Sequence, residues 1–131
     1  MGTRIERGKL VFPDGTVQET AGGGSQTVTH ATPANTLDTN YTNGNKWRMV
    51  SVSLRLTRTL IDGATVTGKI HATATPPTTI VAQVYAQQGI ADVLDMMLFF
   101  MVAPGWKYRV EKTAPGGASV VVQRWEEWDL F

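Results

Sequence analysis

The sequence contains no cysteine, little charge and no long apolar segment. Without cysteine, the chain forms neither a disulfide framework nor a thiolate zinc site. Charged residues make up 18% of the 131 residues and the formal net charge is +1. Nucleic-acid binders and electrostatic membrane binders need a concentrated basic patch, so we expect no nucleic-acid partner. The longest apolar run, residues 96–103, is far shorter than the roughly 20 residues of a membrane-spanning helix. We therefore expect a soluble protein without membrane insertion.

Catalytic and metal-binding patterns are also scarce. His30 and His71 have no H-x-H or H-E-x-x-H spacing, and we interpret both as ordinary surface residues. Glu126 and Glu127 are adjacent on a predicted strand, so their side chains point to opposite faces and cannot act as a paired acid and base. We interpret this segment as a solvated strand. The sequence predicts no enzyme, no catalytic residue, no cofactor and no metal site.

What the sequence does contain is the alternation of apolar and polar residues that is typical of β-strands. In residues 49–60, Val50, Val52, Leu54 and Leu56 alternate with polar residues, which predicts one buried and one solvated face. The dipeptide Asp62-Gly63 then predicts a hairpin turn. Further strands are predicted at 65–75, 80–87, 96–102, 106–112 and 119–130, and residues 89–95 are predicted as one helical turn or a loop. Short strands separated by glycine and proline turns favour an antiparallel β-sandwich.

The strand at 96–102, M-M-L-F-F-M-V, does not alternate. A continuous apolar strand is expected to be covered on both faces. The core of the domain covers one face, and a neighbouring subunit is our candidate for the other. Met97, Phe99 and Met101 are therefore candidate interface residues.

Composition divides the chain into three zones: residues 1–21, a Gly/Ser/Thr-rich linker or loop at 22–36, and the main domain at 37–131. The first zone contains V-F-P-D-G-T-V-Q-E-T-A. Pro13 presets a turn and Asp14-Gly15 is a strong turn dipeptide, so a tight hairpin or kink is expected. This unit is too short to bury Phe12 and Val17 by itself, whereas several identical chains could pack them around a common axis.

The segment F-P-D-G-T-V-Q-E-T-A resembles the F-P-D-G-T-x-Q-x-T-A element of bacteriophage tail fibres, which lies at the end of a trimeric shaft just before a distal domain. Residues 37–54 are similar to the start of a tail-fibre tip domain. F-F-M-V-A-P-G-W-K-Y-R-V resembles its F-x-V-P-P-G-x-x-Y-x-V segment, and W-D-L its closing W-x-E-L. Ala103, Trp106 and Asp129 depart from these patterns, and Trp106 would alter the surface around its turn.

The resemblance implies a homotrimeric β-sandwich tip, preceded by a short intertwined β segment, at the distal end of a tail fibre. Such a tip is made in the host cytoplasm and is part of the virion. Its partners are a bacterial cell-surface polysaccharide or outer-membrane receptor and other phage tail proteins. The alternative is a structural virion connector or trimerisation module without glycan binding. A sandwich-fold carbohydrate-active enzyme is disfavoured because no carboxylate pair is present.

Aromatic side chains next to amides and hydroxyls are typical of sugar recognition, because flat C–H faces of sugars stack on rings. For Trp47, Tyr108, Trp125 and Trp128, packing in the core or an interface is the favoured role. The candidate receptor contacts are Tyr41, Asn43, Asn45, Trp47, His71, Tyr85 and Trp106. The candidate trimer-interface residues are Phe12, Val17, Met97, Phe99 and Met101.

Overall fold

The computed structural model describes residues 27–131 with their side chains, and the backbone of residues 4–6, 9–11 and 17–18. The three N-terminal strands β1 (Arg4–Glu6), β2 (Lys9–Val11) and β3 (Val17–Gln18) form one antiparallel sheet in this order. Val11 pairs with Val17. The tight hairpin or kink predicted at residues 12–16 lies outside the described residues. Phe12 and the side chain of Val17, both predicted in a trimer interface, lie outside the described residues.

Residues 27–131 form two four-stranded antiparallel sheets that pack face to face, and this part of the chain contains no helix. No helix among the described residues is therefore able to cross a membrane. The first sheet has the order β4-β11-β6-β9 and the second the order β5-β10-β7-β8. The predicted all-β sandwich fold is confirmed. The strands are β4 (Thr29–Ala31), β5 (Tyr41–Thr42), β6 (Arg48–Arg58), β7 (Ala64–His71), β8 (Thr79–Ala86), β9 (Asp92–Val102), β10 (Lys107–Thr113) and β11 (Ser119–Asp129).

The core lies between the two sheets and follows the alternation of β6. Val50, Val52, Leu54 and Leu56 are completely buried. Burial of each such side chain contributes about 1.5–3 kcal/mol relative to exposure. Gly68 on β7 is a point of close approach, since a Cβ there would lie 2.9 Å from Cδ1 of Phe100 in the opposite sheet.

The predicted hairpin at Asp62-Gly63 is wrong. Strands β6 and β7 belong to different sheets, so residues 59–63 carry the chain across the edge of the sandwich. The crossing is tight, because a Cβ on Gly63 would lie 2.7 Å from the carbonyl oxygen of Ala86. Turn residues specify that the chain bends, but the sheet that receives the next strand depends on contacts distant in sequence.

Residues 92–95 do not form the predicted helical turn or loop, because β9 begins at Asp92. Asp92 pairs with Arg58, and Asp95 pairs with Arg55, across the β6–β9 ladder. These cross-strand ion pairs stabilise a strand at the end of the segment that was predicted as one helical turn or a loop. The arginine partners lie 34 and 40 residues earlier, so the local sequence does not reveal them.

Two other boundaries differ from the expected ones. Within the predicted linker or loop at 22–36, Thr29–Ala31 is strand β4 and pairs with β11. The second difference concerns the strand predicted at 65–75, because β7 ends at His71, four residues before the predicted end. Strand β4 is only three residues long and exposed, so it has no apolar alternation that could have indicated it.

Strand β9 lies at the edge of its sheet, and its two faces differ. Leu98, Phe100 and Val102 point into the core, which confirms cover on one face. The other face carries Met97, Phe99 and Met101, which are 62%, 50% and 37% exposed. None of the side chains in residues 27–131 covers this outer face, and the expectation that a neighbouring subunit covers it stays a prediction.

The strand directions give the sandwich two distinct ends. Thr29 pairs with Asp129, so residues 1–26 join the sandwich where β11 ends. We call this the near end, and it also carries the loops 43–47 and 72–78 and the turn 103–106. The opposite end, which we call the far end, carries the loops 59–63, 87–91 and 114–118.

Candidate functional site

The near-end loop 43–47 is held by the side chain of Asn43. Its Nδ2 donates hydrogen bonds to the carbonyl oxygens of Lys46 at 2.7 Å, Val102 at 3.2 Å and Ala103 at 3.0 Å. The residue is 5% exposed. Asn43 therefore fastens the loop to the turn 103–106. The side chain of this predicted receptor contact is buried, because a polar group that leaves water needs internal partners.

Tyr41 and Trp106 are also partly committed to packing. The hydroxyl of Tyr41 accepts a hydrogen bond from the backbone N–H of Thr36 at 2.8 Å, and its ring lies 5.6 Å from that of Tyr108. Trp106 is partly buried against the core. By contrast, Asn45 and Trp47 are exposed, and Trp47 keeps 49% of its accessible surface.

His71 closes the turn that follows β7. Its Nδ1 accepts hydrogen bonds from the backbone N–H groups of Thr73 at 3.0 Å and Ala74 at 2.7 Å. A ring nitrogen that accepts bonds from two N–H groups is not available to a ligand. His30 stacks on Trp128 on the outer face of the first sheet, with 5.0 Å between ring centroids.

Tyr85 is separated from the other six candidate receptor contacts. It pairs with Thr65 near the far end, whereas His71 pairs with Lys107 at the near end. Thr65 and His71 are six positions apart along β7, which corresponds to roughly 20 Å. The seven predicted receptor contacts therefore do not form one patch.

A buried polar network lies between the sheets, and sequence reasoning missed it. Glu127 is 7% exposed, so the expectation of a solvated position is wrong for this residue. Its Oε2 accepts hydrogen bonds from the Tyr108 hydroxyl at 2.6 Å, from Trp125 Nε1 at 3.1 Å and from Asn35 Nδ2 at 3.4 Å. Arg48 Nη1 lies 3.4 Å from its Oε1. The prediction that Glu126 and Glu127 occupy opposite faces is confirmed by their pairing with Ser51 and Val50.

The charges of this network compensate one another. Arg48 makes a two-pronged contact with Asp129, with Nε to Oδ1 at 2.6 Å and Nη2 to Oδ2 at 3.1 Å. This hydrogen bonding raises the pKa of Arg48 and lowers the pKa of Asp129. Burial, followed by the hydrogen bond to Glu127, raises the pKa of Tyr108, so its phenol remains a proton donor at neutral pH. The network joins β6, β10 and β11 and serves the fold, because its carboxylate is not open to a substrate.

Three far-end loops are tied together by Thr59 and Asp62. Thr59 Oγ1 accepts hydrogen bonds from the N–H groups of Ile61 at 3.3 Å and Asp62 at 2.8 Å. The Thr59 carbonyl accepts one from Gly89 N–H at 3.1 Å, and Asp62 Oδ2 accepts one from Gly117 N–H at 3.2 Å. These bonds fix the relative positions of the loops before any ligand binds.

The fixed far-end loops expose large apolar side chains. Leu60 is 68% exposed, Ile61 is 76% exposed and Ile90 is 57% exposed. Sequence reasoning did not single them out. The sequence does contain a pattern that indicates exposed apolar residues, since Leu60-Ile61 is an apolar pair directly before the turn dipeptide Asp62-Gly63. Exposed apolar residues clustered in this way are typical of contact surfaces.

Comparisons with known proteins give no match. No protein-family model, no curated protein and no solved structure is similar to this chain. Among the described residues, no group of three His, Asp or Glu side chains is arranged as metal ligands. The far-end loops and the outer face of β9 are among the surfaces that expose large apolar side chains.

Proposed function

We propose that the protein is the trimeric tip of a bacteriophage tail fibre and attaches the virion to a receptor on the bacterial surface. The observation that carries the proposal is the segment F-P-D-G-T-V-Q-E-T-A, which directly follows β2, contains the paired strand β3 and precedes a β-sandwich. In the tail fibres that the sequence resembles, the same element precedes a distal domain in this order. The bacterial receptor is a cell-surface glycan in this proposal.

The outer face of the first sheet supports assembly into a trimer. Met97, Phe99 and Met101 form an exposed apolar row, and Met101 pairs with Met49 on β6. Strand β9 is also an 11-residue edge strand. Long apolar edge strands promote association unless they are covered. A neighbouring subunit would remove this surface from water.

Trimerisation also suits the binding role. The formal net charge of +1 gives little long-range attraction to a charged bacterial surface. Three sites on one tip convert weak single contacts into useful avidity, because later contacts form at high effective concentration. Receptor attachment therefore does not require a tight individual site.

Light scattering coupled to size exclusion tests the oligomeric state, at micromolar concentration and after dilution. We expect a trimer for the wild type and a monomer for Met97→Asp, because a carboxylate in an apolar interface is strongly unfavourable. Ile80→Asp is the matched control. Ile80 is an exposed apolar residue, 58% accessible, on the other sheet. A monomeric wild type, or a trimeric Met97→Asp variant, would contradict the proposed interface.

Adhesion to a panel of bacterial cells separates a receptor-binding tip from a virion connector. A tip binds the cells of its host and a connector ignores all bacterial surfaces. The exposed far-end loops favour the tip, because they offer a binding surface at the end of the sandwich opposite Thr29, where the described chain enters it. Absence of adhesion by a trimer that binds phage tail proteins would favour the connector.

A further inference from the structure

We propose that the receptor site is an uncharged depression at the far end, beside Tyr85, and that it binds a neutral saccharide. The proposal rests on the proposed function, because it locates the glycan contact of the fibre tip. It replaces the near-end loop as the main binding surface. The reasons are the direction of the chain, the composition of the depression and the rigidity of its walls.

The direction of the chain favours the far end. Residues 1–26 join the sandwich next to Asp129, beside the loop that carries Trp47. In a fibre, the end that joins the shaft faces away from the bacterium. The loops at 59–63 and 87–91 lie at the opposite end of the sandwich. In the proposed fibre, this end faces the cell surface.

The depression has the composition of a sugar site. It is open, has a volume of about 400 Å³ and is formed by β7, β8, the start of the 87–91 loop and the end of β10. Tyr85 is 60% exposed there and offers a ring for stacking. The side chains that line it with polar groups are Thr65, Tyr85, Gln87, Gln88 and Thr113. Hydroxyls and amides can both donate to and accept from sugar hydroxyls.

The lining contains no charged side chain, which favours a neutral ligand over an anionic one. The nearby guanidinium of Arg58 contacts Asp92 through Nε and Nη2 and donates from Nη1 to the carbonyl of Gln87 at 3.1 Å. Hydrogen bonding to Arg58 lowers the pKa of Asp92, so this pair remains ionised and compensated at neutral pH. An anionic sugar would therefore find no uncompensated cation in this lining.

The walls of the depression are already fixed. Gly63 packs so tightly on Ala86 and Gln88 that a side chain there would meet their backbone atoms. The bond from Gly89 to Thr59 and the contact of Arg58 with Gln87 hold the adjoining loop. A site that needs no ordering keeps more of its contact energy as affinity. This compensates in part for its shallow shape.

The test compares Tyr85→Ala with Trp47→Ala, two exposed aromatic residues at opposite ends of the sandwich. Each variant is applied to an array of neutral and anionic bacterial oligosaccharides and to the cell panel. We expect the wild type to bind neutral oligosaccharides, and Tyr85→Ala to lose about tenfold in affinity per site, as for the loss of one aromatic stacking contact. Trp47→Ala should bind as the wild type does. Gln88→Ala, outside the strands, provides a second far-end variant that leaves β8 intact.

Several outcomes would overturn the inference. Neutral binding that survives both Tyr85→Ala and Gln88→Ala, or binding of anionic oligosaccharides alone, would exclude this site. Adhesion to cells that requires a surface protein and no glycan would also exclude it while leaving the fibre function in place. A monomer that binds neutral sugars through Tyr85 would keep the site and refute the trimeric fibre. A protein that binds neither oligosaccharides nor cells would refute both proposals.

Discussion

Removal of a single hydroxyl group tests the buried network. The substitution Tyr108→Phe keeps the ring, which is 1% exposed, and so creates no cavity. It deletes the 2.6 Å hydrogen bond to Glu127 and the 3.1 Å bond accepted from Arg48. Glu127 then retains Trp125 and Asn35 as hydrogen-bond donors to Oε2. The carboxylate stays buried with fewer donors.

The expected loss of stability follows from these contacts. A hydrogen bond to a charged group contributes about 1.5–3 kcal/mol net. The bond from Arg48 adds little, because Arg48 keeps its two-pronged contact with Asp129. We therefore expect Tyr108→Phe to lower the free energy of unfolding by about 2 kcal/mol. For a urea m-value of about 2 kcal/mol per molar, the midpoint falls by about 1 M.

Urea unfolding followed by tryptophan fluorescence measures this change, since Trp125 belongs to the network. Protein concentration is kept constant, because assembly would otherwise shift the apparent stability. Tyr85→Phe is the control, since the hydroxyl of this 60% exposed residue can bind water instead. If Tyr108→Phe and Tyr85→Phe have the same midpoint, the network does not stabilise the sandwich and our reasoning is wrong.

Two further predictions concern Asp129 and Asn43. The hydrogen bond to Arg48 lowers the pKa of Asp129 in the folded state. The ionised Asp129 side chain therefore stabilises the fold fully above its pKa in the unfolded chain, which is about 3.9. This contribution is lost as the pH falls through the lower pKa of the folded state. We expect Asp129→Asn to lower the free energy of unfolding at pH 7, and to reduce the difference in this free energy between pH 7 and pH 3. Urea unfolding at the two pH values measures both effects. A difference equal to that of the wild type would contradict the prediction. Asn43→Ala removes three hydrogen bonds, so we expect a loss of about 1–3 kcal/mol. Hydrogen exchange should also become faster at Gly105 N–H, which bonds to Gly44, and unchanged exchange would contradict the fastening role.

The strands were predictable because a half-buried strand must alternate apolar and polar residues. The alternate residues Val50, Val52, Leu54 and Leu56 satisfy this rule, and their side chains are fully buried. The candidate site was less predictable. Tyr41 and Asn43 carry the chemistry of ligand contacts, yet both groups bind their own protein. Composition indicates which groups can recognise a sugar, and burial decides which of them are free to do so.

The sequence by itself determined the all-β fold and the inward face of β6, because each depends on residues close together along the chain. Only the tertiary structure decided that residues 59–63 cross between sheets and that Glu127 is buried. It alone also separated Tyr85 from Trp47 by placing them at opposite ends. These features depend on contacts between residues far apart in sequence, whose pairing is set by the packing of two sheets and not by local pattern.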